Sequence, residues 1–284
     1  MIGRRIVLAL LLAAACPAAL PAQATFHGNI ARTGVYDSPG PRRLGGVKWA
    51  FKAGGPIVTS PIIAGGVVYI ASLDGHLYAI DQESGKEKWN FKSRMPIASS
   101  PAVAGGTLYF VSSAGSLAAL DVATGRRKWD YPTSKSWVIG TPAVRDGVVY
   151  VGTSDSSRFM ALDAKSGRLR FNFKAGAYIF SSAALAGDLA YVGSHNGRLY
   201  AVDAKTGALA WEFQTEASKQ DPMKVLNPDG TLTEAIFAPV FGDFQDMYIT
   251  FYRFVSIGAM MSSPAVDRGT VYVGSMDGNL YALQ

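Results

Sequence analysis

From Trp49 onward, short apolar runs and polar turns alternate in a pattern that returns about every 40 residues. One unit reads Ser-Pro-Ala-Val, a Gly turn, Val-Tyr-Val-Gly-Ser, a polar Gly turn, Leu-Tyr-Ala-Leu-Asp, a Thr-Gly turn, then Lys-Trp-x-Phe. The small residues that open the unit are Ser60, Ser100, Thr141, Ser182 and Ser263, with gaps of 40, 41, 41 and 81. The aromatic that closes it recurs at Trp49, Trp89, Trp129, Phe171 and Trp211. A fixed period of this length means a solenoid, a propeller or an array. Runs such as Val67-Val68-Tyr69-Ile70 and Leu77-Tyr78-Ala79-Ile80 are β-branched and aromatic, as strands prefer. Asp74-Gly75, Asn196-Gly197 and Asp277-Gly278 fill one hairpin turn of the unit.

A second turn recurs as Asp81 to Gly85, Asp121 to Gly125, Asp163 to Gly167 and Asp203 to Gly207. There the Asp carboxylate can accept backbone N–H bonds and the Gly closes the turn. Each unit is therefore a four-stranded antiparallel meander, strands A to D, and the pattern predicts an all-β propeller with five such blades. The last unit stops at Gln284, before a D strand, whereas Val47 to Phe51 is a D strand with no blade before it. The expectation is that this N-terminal strand closes the C-terminal blade and removes the exposed edges.

The gap of 81 carries an insert at about 217–258. It lacks the Asp-x-x-Thr-Gly turn and the Trp strand, which argues against a degenerate sixth blade. Phe237, Val240, Phe241, Phe244, Met247, Tyr248, Phe251, Phe254 and Val255 recur at three and four, with Asp243, Gln245, Asp246, Thr250 and Arg253 opposite. That spacing predicts a helix of about four turns over 237–255, after a loop containing Asn227-Pro228-Asp229-Gly230, with Pro239 near its first turn. Strand parity puts the insert on the same face as the B–C turns. Its Phe237–Phe244–Phe251 stripe is expected to face the ring or a partner.

Met1 to Ala24 reads as a secretory leader, with Arg4 and Arg5, an apolar run from Ile6 to Ala15, and Ala22-Gln23-Ala24 as the cleavage site. No later segment has 18 apolar residues in a row, so no transmembrane helix is expected. The domain plan is leader 1–24, lead-in 25–46 and propeller 47–284. The single cysteine, Cys16, lies in the leader; cleavage at Ala24 would remove it, and membrane association is expected only if Cys16 is lipidated. Net charge is +6, or +4 without Arg4 and Arg5, and the basic residues are scattered rather than clustered. That excludes a nucleic-acid footprint.

The motif Asp-x-x-[Ser/Thr]-Gly-x-x-x-Trp, preceded by Ser-Pro-x-Val and Gly-x-Leu-Tyr-Ala-Leu-Asp, resembles the repeat of the pyrroloquinoline-quinone (PQQ)-like propeller superfamily over residues 47–284. Phe26 to Gly34 resembles the lead-in that many exported members share. The superfamily includes quinoprotein dehydrogenases and the propeller lipoprotein of the outer-membrane barrel-assembly machinery. It usually builds seven or eight blades, whereas five repeats are counted here. The resemblance implies that the on-period aromatics pack between blades.

Candidate chemistry is sparse. The three histidines, His27, His76 and His195, lack metal-ligand spacing and read as surface turn residues. Ser60, its equivalents, and Asp81, Asp121, Asp163 and Asp203 repeat in successive blades and are architectural. Residues off the period are better candidates: Arg94, Trp137 and Tyr178 in D–A connections, Asp155 and Arg158 in one B–C turn, and His195 in another. Together they would line one rim. The expected function is an exported, non-catalytic binding or scaffolding propeller for protein partners in the cell envelope, with no cofactor. One alternative is a small quinoprotein oxidoreductase binding PQQ with calcium, although the vicinal disulfide that the resemblance would require is impossible with one cysteine. Another is a ligand- or carbohydrate-binding sensor.

Overall fold

The computed structural model describes residues 24–34, 42–113, 116–133, 138–240, 242 and 245–284. Its 19 strands form five antiparallel meanders. Blade 1 holds β1 (Ile62–Ala64), β2 (Val67–Ala71), β3 (His76–Asp81) and β4 (Glu87–Lys92). Blade 2 holds β5 (Ala102–Ala104), β6 (Thr107–Ser112), β7 (Ser116–Asp121) and β8 (Arg127–Pro132). Blade 3 holds β9 (Ala143–Arg145), β10 (Val148–Gly152), β11 (Arg158–Asp163) and β12 (Leu169–Lys174). Blade 4 holds β13 (Ala184–Ala186), β14 (Leu189–Gly193), β15 (Arg198–Asp203) and β16 (Leu209–Gln214). Blade 5 has three strands, β17 (Ala265–Asp267), β18 (Thr270–Gly274) and β19 (Leu280–Leu283). The architecture read from the repeat is therefore the one observed.

Burial follows the apolar runs. The B and C strands are buried along almost their whole length in blades 1 to 4, because both faces of each sheet meet another blade. The D strands alternate between exposed and half-buried, since only one face packs. Four apolar clusters form the junctions. Tyr69 and Leu77 meet Leu108 and Phe110. Tyr109 and Leu117 meet Val149 and Met160. Tyr150 and Phe159 meet Val192 and Tyr200. Tyr191 and Leu199 meet Val266 and Val271.

Two repeated devices lock the junctions. Four of the five repeat aromatics lie over the C–D turn glycine of the next blade: Trp49 on Gly85, Trp89 on Gly125, Trp129 on Gly167 and Phe171 on Gly207. The indole Nε1–H of Trp49, Trp89 and Trp129 donates to the backbone carbonyl of Gln82, Val122 and Ala164 in the same turns. Trp129 is half-buried, less enclosed than its repeat position predicts. The opening small residues form the second device. The Ser60 N–H donates to Ser100 Oγ, Thr141 N–H to Ser182 Oγ and Ser182 N–H to Ser263 Oγ, at 2.8, 2.8 and 2.9 Å.

No ladder between Val47–Phe51 and β19 is detected among the described residues; the pairing seen for β19 is with β18. Trp49, Phe51 and Ala53 instead pack on the outer face of blade 1, against Val68, Ile70, Tyr78 and Ile80. Trp49 thus takes the place of a D-strand aromatic toward blade 1 without the backbone pairing of one.

The lead-in crosses the inner strands. Ala24 bridges to Val103 in β5, the Ile30 carbonyl accepts from Leu185 in β13, and the Ala31 carbonyl accepts from Val266 in β17. Arg32, 1% exposed, donates to the backbone carbonyls of Ala183, Phe26 and Thr141 at 2.7, 3.0 and 3.2 Å. Burial pushes its guanidinium down to about 9.

Candidate functional site

The rim made by the D–A connections and B–C turns carries the irregular part of the chain. Three of its B–C turns share an unforeseen device. A polar side chain in the turn bonds the Tyr hydroxyl four residues on: Asp74 with Tyr78 at 2.6 Å, Asn196 with Tyr200 at 2.9 Å and Asp277 with Tyr281 at 2.6 Å. The spacing is visible in the sequence once the strands are aligned. Asp74 also accepts from His76 N–H and faces its ring, so His76 belongs to turn architecture.

The insert begins after β16. Helix α1 (Glu216–Gln220) is a single capped turn: Thr215 accepts from Ser218 N–H, and Thr215 Oγ1 donates to the Ile257 carbonyl. A 3-10 turn spans Glu234–Phe237, and helix α2 spans Gln245–Ser256. The long helix therefore starts later than the 237–255 expected and is nearer three turns than four. Asp246 explains the late start: its carboxylate accepts from the Val240 and Gly242 N–H groups and fixes a turn there, with Gly242 at φ 72°. Pro239 lies in that turn, not in the helix. Arg253 ties α2 to the 3-10 turn by donating to the Ile236 and Ala238 carbonyls.

The apolar positions of α2 divide between two directions. Phe254 faces the rim, with its ring 5.1 Å from that of His195 and 6.3 Å from those of Tyr178 and Phe237. Tyr178 stacks on Phe237 at 6.0 Å, and Phe180 meets His195 edge-on at 4.5 Å. Val225, Ile236 and Ile257 form a small core beneath. On the other side Met247, Tyr248, Phe251 and Tyr252 are each more than half exposed.

His195 is not the surface turn residue that its sequence position suggests; it is 2% exposed because Phe180 and Phe254 close over it. Burial pushes its imidazole down to about 4, partly offset by the hydrogen bond to the Tyr178 carbonyl. Burial raises the Tyr178 hydroxyl, helped by the negative charge of Asp155. Tyr178, His195 and Phe237 are thus brought together, with Asp155 in electrostatic reach of Tyr178. Arg94 is exposed in the blade 1 connection and Arg158 half-buried at the start of β11; neither joins the aromatic cluster. Trp137 and Phe244 lie outside the described residues. Phe251 points away from the cluster. Phe180 and Phe254 complete the cluster. The helical period pointed to Phe254, whereas nothing local marks Phe180.

A cavity of about 240 Å³ opens between the blade 3 turn and the insert, lined by Ser157, Gly176, Tyr178, Thr233, Ile236 and Phe237 among others. The four C–D turn aspartates lie on the opposite face, as their architectural reading requires. Asp81, Asp121, Asp163 and Asp203 each accept from the backbone N–H and the hydroxyl of the Ser or Thr three residues on. Among the described residues no group of three or more His, Cys, Asp or Glu side chains is placed to hold a metal ion, and no helix is long and apolar enough to cross a membrane.

Five stacked meanders, an aromatic over each turn glycine and this motif define a PQQ-like β-propeller repeat protein. The family profile described as outer membrane protein assembly factor BamB matches residues 43–136 and 133–227, and the chain belongs to that family. BamB from Moraxella catarrhalis is a structural neighbour at 19% identity and TM-score 0.54, covering 84% of this chain and 75% of that one. A quinohemoprotein alcohol dehydrogenase from Comamonas testosteroni matches at 15% identity and TM-score 0.58, covering 81% of this chain. The computationally designed Ika8 protein matches at 14% and 0.58, covering 78% of this chain and 57% of that one. The chain spans 41% of the length of the Comamonas dehydrogenase. These likenesses are of fold. No curated protein matches the chain.

Proposed function

We propose that this protein is an exported binding module of the cell envelope that docks a protein partner on the insert-bearing rim, in the manner of an outer-membrane-protein assembly factor. The observation that carries this reading is the divided helix α2. Phe254 packs against His195 of the blade 4 turn and the Ile257 carbonyl accepts from Thr215, while Met247, Tyr248, Phe251 and Tyr252 are each more than half exposed. A contiguous aromatic and Met surface of this kind is what protein interfaces bury at their centre. Family membership supports the partner class, and the leader-like Met1 to Ala24 supports export.

The fold is shared with quinoprotein dehydrogenases, but the chain's own residues favour binding over redox chemistry. One cysteine cannot form a vicinal disulfide. The lead-in hydrogen-bonds to the inner strands β5, β13 and β17, and Arg32 fills the blade 3 and blade 4 entries by donating to the Thr141 and Ala183 carbonyls. The test is affinity capture from envelope extract with the secreted protein and with a Phe251→Ser/Tyr252→Ser variant. Outer-membrane assembly components are expected with the parent and reduced several-fold with the variant. Equal capture by both proteins would remove the rim from the proposal. Appearance of a stoichiometric PQQ absorbance after adding PQQ and calcium would favour the oxidoreductase instead.

A further inference from the structure

Methionine is unevenly placed on this molecule. As a flexible thioether it usually fills gaps in a core, and Met160 and Met260 do so at 4% and 0% exposure. Met95, Met223, Met247 and Met261 are instead 46%, 47%, 58% and 48% exposed. All four lie in D–A connections or in the insert, on the rim that carries α2. The A–B and C–D turns of the opposite face contain no methionine. Among the described residues methionine is the only sulfur-bearing side chain, since the single cysteine is Cys16.

Met247 is the most exposed of the four, and its neighbours make it matter. On α2, Met247 and Phe251 are four residues apart, as are Tyr248 and Tyr252, so each pair shares one side of the helix. Phe251, Tyr248 and Tyr252 are 54%, 57% and 62% exposed. Met247 therefore belongs to the same apolar patch as these rings, with its thioether placed for the favourable contact that sulfur makes with an aromatic edge. Oxidation of a thioether requires an accessible sulfur, and it converts a flexible apolar side chain into a polar one. Met247 meets the first condition, and its surroundings give the second a consequence.

We propose that Met247 is an oxidation site, and that its sulfoxide turns the apolar patch of α2 polar and weakens docking there. The effect on docking rests on the rim being the docking face; the modification itself does not. The oxidant is hydrogen peroxide. Its O–O bond breaks, one oxygen passes to the Met247 sulfur, which gives up two electrons, and the other oxygen leaves as water with both protons. The change is reversible, because methionine sulfoxide reductases restore the thioether, releasing the oxygen as water while two thiols become a disulfide. Burial spares Met160 and Met260, so the reaction alters the surface and leaves the blades intact.

The test treats the secreted protein with increasing hydrogen peroxide and follows the gain of one oxygen at each methionine by peptide mass spectrometry. Met247 is expected to oxidise at least about tenfold faster than Met160 and Met260. The dye bis-ANS, which binds exposed apolar surface, reads the patch. Its fluorescence should fall by about half on oxidation and return after treatment with reductases for both sulfoxide epimers and a thiol. Unoxidised Met247→Gln should already show the low signal. Met247→Leu should keep the high signal at the same peroxide dose, whereas Met95→Leu should lose it as the parent does. Far-UV spectra should match throughout. Oxidation of Met247 no faster than that of Met260 overturns the site. A dye signal that peroxide leaves unchanged, or that falls equally in Met247→Leu, overturns the switch. Neither readout needs a partner. In the envelope capture, equal recovery of partner by reduced and oxidised protein also counts against the switch, whereas recovery by neither counts against the docking reading alone and leaves the mass and dye results to decide this proposal.

Discussion

Gly167 meets two requirements at once. It sits at φ 71°, where a side chain is strained, and a Cβ there would stand 2.7 Å from the Trp129 ring. Gly167→Ala is therefore expected to cost about 1–3 kcal/mol, measured by urea unfolding, whereas Gly147→Ala, whose surroundings are open, carries only the φ penalty. The Asp and Gly of this turn were legible from the repeat, but the ring on the glycine required knowing which blade comes next. His195 was not legible, because the residue that buries it, Phe254, lies far along the chain. Its folded value of about 4 lies below the usual 6.5, so at intermediate pH the unfolded chain binds a proton that the folded protein does not. Stability should be full above about pH 6.5 and decline toward pH 4. His195→Gln should flatten that slope in a melting series. The further decline from about pH 4 to about 2, as Asp81 protonates, should persist in the variant. An unchanged slope between pH 6.5 and 4 would show that His195 is not held neutral.

The insert is the element in which sequence and structure diverge most. Apolar spacing identified a helix, and strand parity its face of the propeller. The start was missed because Asp246 captures the Val240 and Gly242 N–H groups and forms a turn where the period continued. The same spacing could not say which apolar side faces the rim, since Phe251 and Phe254 both fit one wide stripe. Position within the fold separates them. Phe254→Ala should loosen the docked insert and cost about 1–3 kcal/mol, read as a lower melting temperature. Phe251→Ser should change stability by less than about 0.5 kcal/mol, as an exposed position would. Comparable losses at both positions would mean that the outer side of α2 is also part of the core.

Across the whole molecule, five units could be counted from the sequence because each must bury two faces and so repeats its runs. The role of the lead-in could not, because it adds no period of its own. Arg32 shows what it does: one guanidinium satisfies carbonyls of the lead-in, of the blade 3 entry and of the blade 4 entry. Arg32→Ala should cost about 2–4 kcal/mol by leaving those carbonyls buried and unpaired. Arg32→Lys should recover little, because an ammonium cannot reach three directions as a planar fork does. The central claim, that the insert-bearing rim is the docking face, is tested most directly by a photo-activated cross-linking residue at Phe251, compared with the same residue at Arg126 on the opposite face, in intact cells. The expected result is a discrete adduct with an envelope protein from position 251 and none from position 126. No adduct at 251, or the same adducts from both positions, would contradict it.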